Sequence, residues 1–250
     1  MSADAAFGLN GKVAIVTGAA GDIGRKTVEL LLSCGANVIA EDIKPAVDDL
    51  AQDGRVVTLV GDCAEEDTAQ RAMILARQHF GTVDILINNA GRLLAKSILD
   101  TTADEWDGIL RTNVRGAFLH SREALRWMAQ CGSGVIVNVA SISSVIGIAD
   151  QCAYAASKGA VAQLTKALAV EYGGRGIRVN AVAPGAVVTG ILDGIVPNGR
   201  ELLASFGVKH ALGRSGQPEE IAAVIAFLAS PLSSFVTGAI LMADGGFTAM

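Results

Sequence analysis

The sequence of 250 residues lacks features that would place it in several other classes of protein. No apolar run is long enough to cross a bilayer, and the start, MSADAAFGLNGK, has neither the basic segment nor the apolar core of a signal peptide. We therefore expect a cytoplasmic protein. Lysine and arginine form no cluster, and the net charge of −5 argues against a surface that follows nucleic-acid phosphates. Neither nucleic acid nor a membrane is an expected partner.

Patterns typical of metal sites are also missing. The cysteines form no C-x-x-C pair and lie in apolar surroundings, which favours reduced structural thiols over metal ligation. They are Cys34, Cys63, Cys131 and Cys152. The three histidines are far apart without ligand spacing, and we assign no chemistry to them or to the two tryptophans. We expect no metal.

What the sequence does contain is an alternation of short β-branched runs and longer helical patterns. This alternation is typical of βαβ units around a parallel sheet, and the 51% hydrophobic content can supply its core. We predict one α/β domain over residues 1–250, with amphipathic helices over 103–130 and 152–172 and a loop or lid at about 186–212, where glycines and a proline interrupt regular structure. The expected strands are KVAIVT, ANVIAE, VVTLVG, VDILIN, GVIVNVA, IRVNAVA and AILMADGG.

A glycine turn, VTGAAGDIGR at residues 16–25, follows the first expected strand and precedes a helical pattern. A helix N-terminus after such a turn offers unpaired N–H groups and a partial positive charge, which favour a pyrophosphate. Gly18, Gly21 and Gly24 are spaced by threes rather than as G-x-G-x-x-G, so an ordinary glycine-rich turn is an open alternative. Asp42, about 20 residues further on at the end of the second strand, suits a ribose 2′-hydroxyl and favours a dinucleotide site.

A second group of residues lies in the segment YAASK. Tyr154 and Lys158 are four residues apart in a helical pattern, so their side chains share one helix face. A neighbouring ammonium and a cationic nicotinamide would favour the tyrosine phenolate and so make it useful as a proton carrier. Taken alone, such a pair more often belongs to an ordinary helix surface.

Further segments extend the pattern of the glycine turn and of YAASK along the chain. In order, they are TGAAGDIG, GDC, NNAG, TNVRGAF, VIVNVASIS, YAASK, IRVNAVAPGAVVT, GRSGQPEEIA and the terminal DGG. Through these segments the sequence resembles the short-chain dehydrogenase/reductase family over nearly its full length. The resemblance implies a doubly wound, Rossmann-type α/β fold with a parallel seven-stranded sheet and helices on both faces. It also implies a homotetramer formed through the helices over 103–130 and 152–172 and the C-terminal strand.

The same resemblance implies a catalytic tetrad of Asn113, Ser141, Tyr154 and Lys158. In alcohol oxidation Tyr154 would take the hydroxyl proton while hydride leaves the carbon for the nicotinamide, and in reduction it would return that proton. Ser141 would position the substrate oxygen. Lys158 would hold the ribose hydroxyls and lower the pKa of Tyr154, and Asn113, at an expected helix irregularity, would hold a water that links Lys158 to solvent. Capping or strand-end hydrogen bonds are the alternative roles for Asn113 and Ser141.

Cofactor contacts are implied segment by segment. The glycine turn is expected to hold the pyrophosphate, Asp42 the adenosine ribose and Asp62 the adenine amino group, although Asp62 also fits a turn-forming acid. Val187 and Thr189 are expected at the nicotinamide carboxamide, with the NNAG segment as the floor beneath the riboses. The full set is Gly18, Gly21, Asp22, Ile23, Gly24, Asp42, Asp62, Cys63, Asn89, Ala90, Gly91, Tyr154, Lys158, Pro184, Gly185, Val187 and Thr189.

One residue of the turn departs from the family pattern, because Asp22 stands where relatives usually have glycine. A carboxylate at 4 Å from a pyrophosphate would cost from about 1 kcal/mol in water to about 4 kcal/mol at an intermediate dielectric. We therefore expect the Asp22 side chain to point toward helix amides or solvent. Gly21 precedes it where NADP-using relatives often carry arginine. Together with Asp42, this difference favours NAD.

The resulting prediction is an oxidoreductase that transfers hydride between NAD(H) and a secondary alcohol or ketone. A 3-oxoacyl-thioester reductase is the alternative within the family, and a non-catalytic NAD-binding sensor or scaffold is the alternative from another class. Arg92 follows the NNAG segment where relatives place an apolar residue, and it either reaches the substrate or lies in solvent or against an acid such as Asp150. The expected substrate side comprises Arg92, Ser143, Gln151, Ala186, Ile191 and Leu192.

Overall fold

The structure is a computed structural model that describes residues 7–51 and 54–250. Its centre is a seven-stranded parallel sheet in the order β3-β2-β1-β4-β5-β6-β7, and the prediction of a Rossmann-type sheet is thereby confirmed. The β-branched runs form strands because parallel strands are buried on both faces. The strands are β1 Val13–Thr17, β2 Asn37–Asp42, β3 Val56–Val60, β4 Ile85–Asn88, β5 Gly134–Val139, β6 Ile177–Pro184 and β7 Ile240–Ala243.

Helices cover both faces of this sheet. On one face Val28 and Leu31 of α1 pack with Ile221 and Ile225 of α7, and on the other α2, α4 and α5 supply a second core. Alternating strands and helices thus bury the apolar side chains in two layers around the sheet. The α-helices are α1 Asp22–Ser33, α2 Glu66–Phe80, α3 Ala103–Leu110, α4 Gly116–Cys131, α5 Cys152–Tyr172, α6 Gly199–Ser205 and α7 Pro218–Ala229.

The order of the strands reverses direction at β1, whose two neighbours are β2 and β4. In doubly wound sheets ligands bind outside the carboxyl ends of the strands at this reversal, because the crossover helices diverge to opposite faces there. The glycine turn follows β1 and the NNAG segment follows β4. The fold therefore brings the two glycine-containing segments to one crevice.

Two regions add detail to the sequence-based expectation. The helical region predicted over 103–130 contains one π turn, Arg111–Arg115, between α3 and α4, at the irregularity expected around Asn113. The 186–212 segment is more regular than predicted, because it contains α6 and two short 3₁₀ helices. The 3₁₀ helices of the structure are Pro45–Leu50, Ile142–Ser144, Gly173–Arg175, Gly190–Leu192, Phe206–Lys209, Pro231–Ser233 and Phe247–Ala249.

A buried contact joins the end of β2 to α4. His120 donates its Nδ1 proton to the Gly116 carbonyl at 3.0 Å, and its Nε2 lies 2.7 Å from Oε2 of Glu41. Both side chains are almost fully buried, so this contact links the sheet to the helix inside the core. In the described part of the chain, no helix combines the length and the apolarity that a bilayer crossing requires.

Candidate active site

The hydroxyl of Thr17 at the end of β1 connects the glycine turn to the segment after β4. It accepts the backbone N–H groups of Asn89 and Ala90 at 3.1 and 3.0 Å. In return, the Asn89 side chain donates to the carbonyl groups of Thr17 and Gly18, each at 3.0 Å. The two sides of the crevice are thus held in a fixed relation by a residue that the sequence analysis did not single out.

Two of the three glycines in the turn are required sterically. Gly18 has a φ of +66°, and a Cβ atom on it would lie 2.8 Å from the Ala90 Cα. A Cβ atom on Gly24 would lie 2.1 Å from the Gly18 carbonyl oxygen. Gly21 has no contact that close, and as N-cap of α1 it provides no side-chain acceptor for the first amides of this helix. Uncapped amides at a tight turn suit the phosphates of a dinucleotide.

Asp42, the last residue of β2, places a buried carboxylate beside the turn. Its Oδ2 accepts the Ala20 N–H at 2.9 Å, and its Oδ1 accepts the Lys44 N–H at 2.9 Å. The side chain therefore holds the turn against the second strand. Each carboxylate oxygen retains a lone pair, which is what acceptance from ribose hydroxyls requires.

Asp62 and Cys63 follow β3 and are both engaged within the protein. Asp62 accepts the Ala64 N–H at 2.9 Å, as a turn-forming acid does, and pairs with Arg111 at 2.7 Å. Burial would raise the pKa of Asp62, but these two bonds outweigh it and lower the pKa. Burial raises the pKa of the Cys63 thiol to about 12, and the thiol donates to the Thr112 carbonyl at 3.8 Å. The Cys63 side chain is thus a packing group.

The π turn places Asn113 inside the site. Its Oδ1 accepts the Arg92 N–H at 2.9 Å, and its Nδ2 donates to the Arg92 carbonyl at 3.0 Å and to Ser157 Oγ at 2.9 Å. A Cβ atom on Gly91 would lie 3.5 Å from Asn113 Oδ1 and 3.4 Å from Lys158 Nζ. Asn113, Lys158 and the backbone after β4 therefore meet at one point.

Ser141 follows β5 and begins a 3₁₀ turn. Its hydroxyl accepts the Ser143 N–H at 3.1 Å and lies close enough to the Tyr154 phenol to favour a lower pKa there. Ser144 closes the turn, because its hydroxyl accepts the Ser141 N–H at 3.3 Å and donates to the Lys158 carbonyl at 3.0 Å. This network fixes the end of β5 against α5.

Tyr154 and Lys158 lie on one face of α5, as their spacing predicts, and both are at least 93% buried. Burial raises the pKa of Tyr154, and the Ser141 hydroxyl opposes this only in part. Lys158 Nζ lies 5.7 Å from the centre of the Tyr154 ring and donates to the Val139 carbonyl at 2.7 Å, and the lowering of the Tyr154 pKa by this ammonium stays a prediction.

The ammonium group of Lys158 has unused hydrogen-bond donors. Burial lowers its pKa to about 8, and among the described contacts its ammonium group uses one of three N–H donors, toward Val139. A buried ammonium with unused donors fits the hydroxyl groups of a ribose. The structure therefore brings together all four members of the expected tetrad around this group.

The segment after β6 is fixed by a histidine to which the sequence analysis assigned no chemistry. His210 Nε2 accepts the Ala186 N–H at 3.2 Å, and its Nδ1 donates to the Phe206 carbonyl at 2.9 Å. A Cβ atom on Gly185 would lie 2.8 Å from His210 Nε2, so glycine is required after Pro184. His210 thus joins the start and the end of the 186–212 segment.

The expected residues further along this segment differ in exposure. Val187 is buried and forms an isolated bridge with Gly216, and the buried Thr189 accepts the Ile191 N–H at 3.5 Å. Ile191 is 36% exposed, whereas Leu192 is buried.

The remaining expected substrate residues are divided by the structure. Ser143 is buried and donates to the Gln151 side chain at 3.2 Å, close to Ser141. Arg92 is exposed, and its Nη1 lies 3.8 Å from the Cβ position of Gly108 on α3. Within the described residues Arg92 forms no salt bridge, so of the two alternatives to a substrate contact the structure shows solvent exposure rather than a pairing with Asp150.

The expected direction of Asp22 is wrong. Its carboxylate points neither to helix amides nor freely to solvent: it accepts the Gly190 N–H at 2.7 Å and pairs with Arg200 at 3.1 and 3.2 Å. Gly190 and Arg200 are 168 and 178 residues away, so no local pattern could show this contact. Arg200, Arg111, His210 and Thr17 are the residues of this region that sequence reasoning missed. Thr17 alone had a signal, as a hydroxyl directly before the glycine turn.

This site and sheet define a dinucleotide-binding α/β enzyme, and comparisons with known proteins agree. A family model described as enoyl-(acyl carrier protein) reductase matches residues 18–248. A cis-4-hydroxycyclohexanecarboxylate dehydrogenase of Sinomonas cyclohexanicum is 41% identical, with 96% of this chain and 97% of the relative covered. A 3-oxoacyl-(acyl-carrier-protein) reductase of Thermotoga maritima is 39% identical, with 95% and 98% covered. The crystal structure of a levodione reductase aligns with a TM-score of 0.88 at 36% identity, with 96% and 98% covered.

The chain belongs to the short-chain dehydrogenase/reductase family, as its motifs predicted, and is an oxidoreductase. Enzymes of this family use a nicotinamide cofactor.

Proposed function

We propose that this enzyme transfers hydride between NAD(H) and a secondary alcohol or ketone, and that Asn113, Ser141, Tyr154 and Lys158 are its catalytic residues. The observation that carries the proposal is the position of Lys158. Its buried ammonium with unused donors lies on the same helix face as Tyr154.

When bound, the cofactor supplies or accepts the hydride. In oxidation Tyr154 takes the proton of the substrate hydroxyl, and in reduction it gives that proton back to the carbonyl oxygen. Ser141 donates to this oxygen and fixes it near Tyr154. Lys158 binds the nicotinamide ribose, and Asn113 holds the backbone of Arg92 and thereby the floor beneath that ribose.

The proposed cofactor site uses the glycine turn for the pyrophosphate and the carboxylate of Asp42 for the adenosine ribose. The choice of NAD over NADP rests on this carboxylate and on Gly21 in place of an arginine, because a 2′-phosphate next to Asp42 would meet a like charge. For the adenine, Asp62 would add one more hydrogen bond to those it already accepts. Val187 and Thr189 are proposed for the carboxamide.

The proposed substrates are small secondary alcohols, cyclic ones first. The names of two similar proteins support this class: cis-4-hydroxycyclohexanecarboxylate dehydrogenase and levodione reductase. The walls of the substrate site would come from Ser143, Gln151 and the segment from Ala186 to Leu192. For an acidic substrate Arg92 would be the carboxylate partner, and its exposed side chain would have to turn from α3 toward the site.

The test is reduction of NAD with a panel of alcohols, measured at 340 nm for the wild type and for Tyr154→Phe. The panel contains cis-4-hydroxycyclohexanecarboxylate, cyclohexanol, a polyol and a 3-hydroxyacyl thioester. We expect turnover of a cyclic alcohol by the wild type and a loss of about 10²- to 10⁴-fold in kcat for Tyr154→Phe, with unchanged NAD binding. Near-wild-type turnover by the phenylalanine variant would reject Tyr154 as the proton carrier.

A second candidate substrate class is 3-oxoacyl thioesters, which the name of the 39% identical relative favours. The thioester arm of the panel, run with NADH and with NADPH, separates it from the first. We do not propose the alternative of a non-catalytic NAD-binding sensor or scaffold, because the matched proteins are dehydrogenases and reductases.

We further propose a cytoplasmic homotetramer. The absence of a disulfide among the four cysteines, all of which are described, supports a reducing compartment. Exposed apolar side chains on the two helices expected to form the interface, Phe118 on α4 and Val170 on α5, support self-association.

A further inference from the structure

Asp22 and Arg200 connect two parts of the chain that are otherwise separate. Asp22 is the first residue of α1, directly after the glycine turn, and Arg200 lies on α6 in the 186–212 segment. Both carboxylate oxygens of Asp22 lie within 3.2 Å of Arg200 Nη2, and one also accepts the Gly190 N–H at 2.7 Å. The aspartate thus binds a backbone group and a cation of the same segment.

The surroundings of the pair are arranged for this contact. A Cβ atom on Gly190 would lie 2.4 Å from Asp193 Oδ2 and 3.2 Å from Arg200 Nη2, so a larger residue at Gly190 would force Asp193 to move and would crowd the arginine. The side chains of Asp22 and Arg200 are 33% and 50% exposed. An ion pair of this exposure contributes little to the stability of the fold, so its role depends on where it lies, next to the glycine turn.

The position of the pair indicates a specific role for Arg200 at the glycine turn. The glycine turn and the first amides of α1 are the proposed pyrophosphate site, so this inference rests on the proposed function. A carboxylate on the first residue of that helix repels a diphosphate, and a guanidinium bound to both of its oxygens offsets the repulsion. Because Arg200 belongs to the 186–212 segment, it offsets the charge of Asp22 only while that segment lies against the glycine turn.

We propose that Arg200 is a positioning residue for the cofactor. It neutralises Asp22 beside the diphosphate and so couples cofactor binding to the arrangement in which the 186–212 segment lies against the glycine turn. In this arrangement Asp22 in place of glycine is tolerated because a distant residue compensates its charge. The effect of removing Arg200 must then depend on the presence of Asp22.

The experiment compares two ligands, ADP-ribose with its diphosphate and adenosine without it, by calorimetric titration at about 50 mM salt. For Arg200→Gln we expect affinity for ADP-ribose to fall about fivefold, a change of about 1 kcal/mol, with unchanged affinity for adenosine. The double variant Asp22→Asn/Arg200→Gln should regain wild-type affinity for ADP-ribose. Arg200→Lys, which keeps the charge, should remain close to the wild type, and the loss in Arg200→Gln should shrink at about 0.5 M salt.

The coupling to the segment is measured by hydrogen exchange of residues 186–212. ADP-ribose should slow exchange there in the wild type and less in Arg200→Gln. Lys209→Gln, which removes one positive charge from the same segment without touching Asp22, is the control and should behave as the wild type. Equal losses for adenosine and ADP-ribose, or a double variant no better than Arg200→Gln, would overturn the inference. If the wild type and Arg200→Gln bind ADP-ribose equally well, the inference is overturned and the proposed function is not affected. If the wild type binds neither ADP-ribose nor NAD, the proposed function is overturned.

Discussion

Two carboxylates lie beside the glycine turn and have different partners. Asp42 is buried and accepts backbone N–H groups of Ala20 and Lys44, whereas Asp22 is partly exposed and accepts from the 186–212 segment. Asp42 therefore has a structural role in the turn, and each of its oxygens keeps a free lone pair for the proposed contact with a ribose. Any variant at this position has to separate these two roles.

The first prediction concerns cofactor choice. A 2′-phosphate at 4 Å from Asp42 would be repelled by about 4 kcal/mol per unit charge at an effective dielectric of about 20. In the wild type kcat/KM for NAD should exceed that for NADP by at least about 100-fold, and Asp42→Ala should raise kcat/KM for NADP in absolute terms. Asp42→Asn is the control, because it removes the charge but keeps an acceptor for the turn. Comparable use of both cofactors by the wild type would contradict the assignment.

The second prediction concerns the stability cost of Lys158. Burial lowers its pKa from 10.5 to about 8, so the folded protein binds fewer protons here than the unfolded chain between these pH values. Stability should therefore rise with pH across this interval, and below pH 8 the buried lysine costs about 3 kcal/mol at 1.36 kcal/mol per pH unit.

Lys158→Met should consequently raise the free energy of unfolding at pH 7 by about 2 to 3 kcal/mol while it abolishes turnover. The difference from the wild type should decrease from pH 8 to pH 10.5. Urea unfolding at several pH values measures it, with Lys166→Met on the exposed side of the same helix as control. A methionine variant less stable than the wild type at pH 7 would show that other contacts of the Lys158 ammonium group offset the free-energy cost of its burial.

At the scale of elements, the sequence predicted most of what local chemistry determines. Seven β-branched runs form seven strands, and the YAASK spacing places Tyr154 and Lys158 on one face of α5. The interruption at Asn113 was expected, but its form was not. Within the π turn Asn113 forms hydrogen bonds with Arg92 and Ser157, which lie on two other segments.

The 186–212 segment shows why the rest could not be predicted. Its glycines and proline interrupt the apolar periodicity, and this pattern indicated an irregular loop. The regular pieces are held by contacts that span the chain: His210 bonds Ala186, and Arg200 binds Asp22 on α1. Such partners have no signature in a single sequence, so neither residue was predicted to belong to the site.

At the scale of the whole molecule, the sheet places the proposed site at its carboxyl edge and leaves apolar helix surfaces without a partner in the described chain. Phe118 on α4 is 45% exposed and Val170 on α5 is 88% exposed. Leu241 on β7, the edge strand of the sheet, and Phe235 in the segment before it are also exposed. Apolar surfaces on the helices and at this edge strand are what a tetramer with two kinds of interface needs.

The last prediction follows from these two surfaces. Sedimentation equilibrium should show four copies of the 25.6 kDa chain, and Val170→Asp, which places a charge within the helical surface, should give dimers held by the surface around β7. Val208→Asp is the matched control, since Val208 is 86% exposed but lies on the 186–212 segment, outside both surfaces. Because each chain carries a complete set of proposed catalytic residues, the Val170→Asp dimer should retain turnover. A wild type that sediments as a monomer, or a Val170→Asp variant that stays tetrameric, would show that α4 and α5 face solvent in the working enzyme.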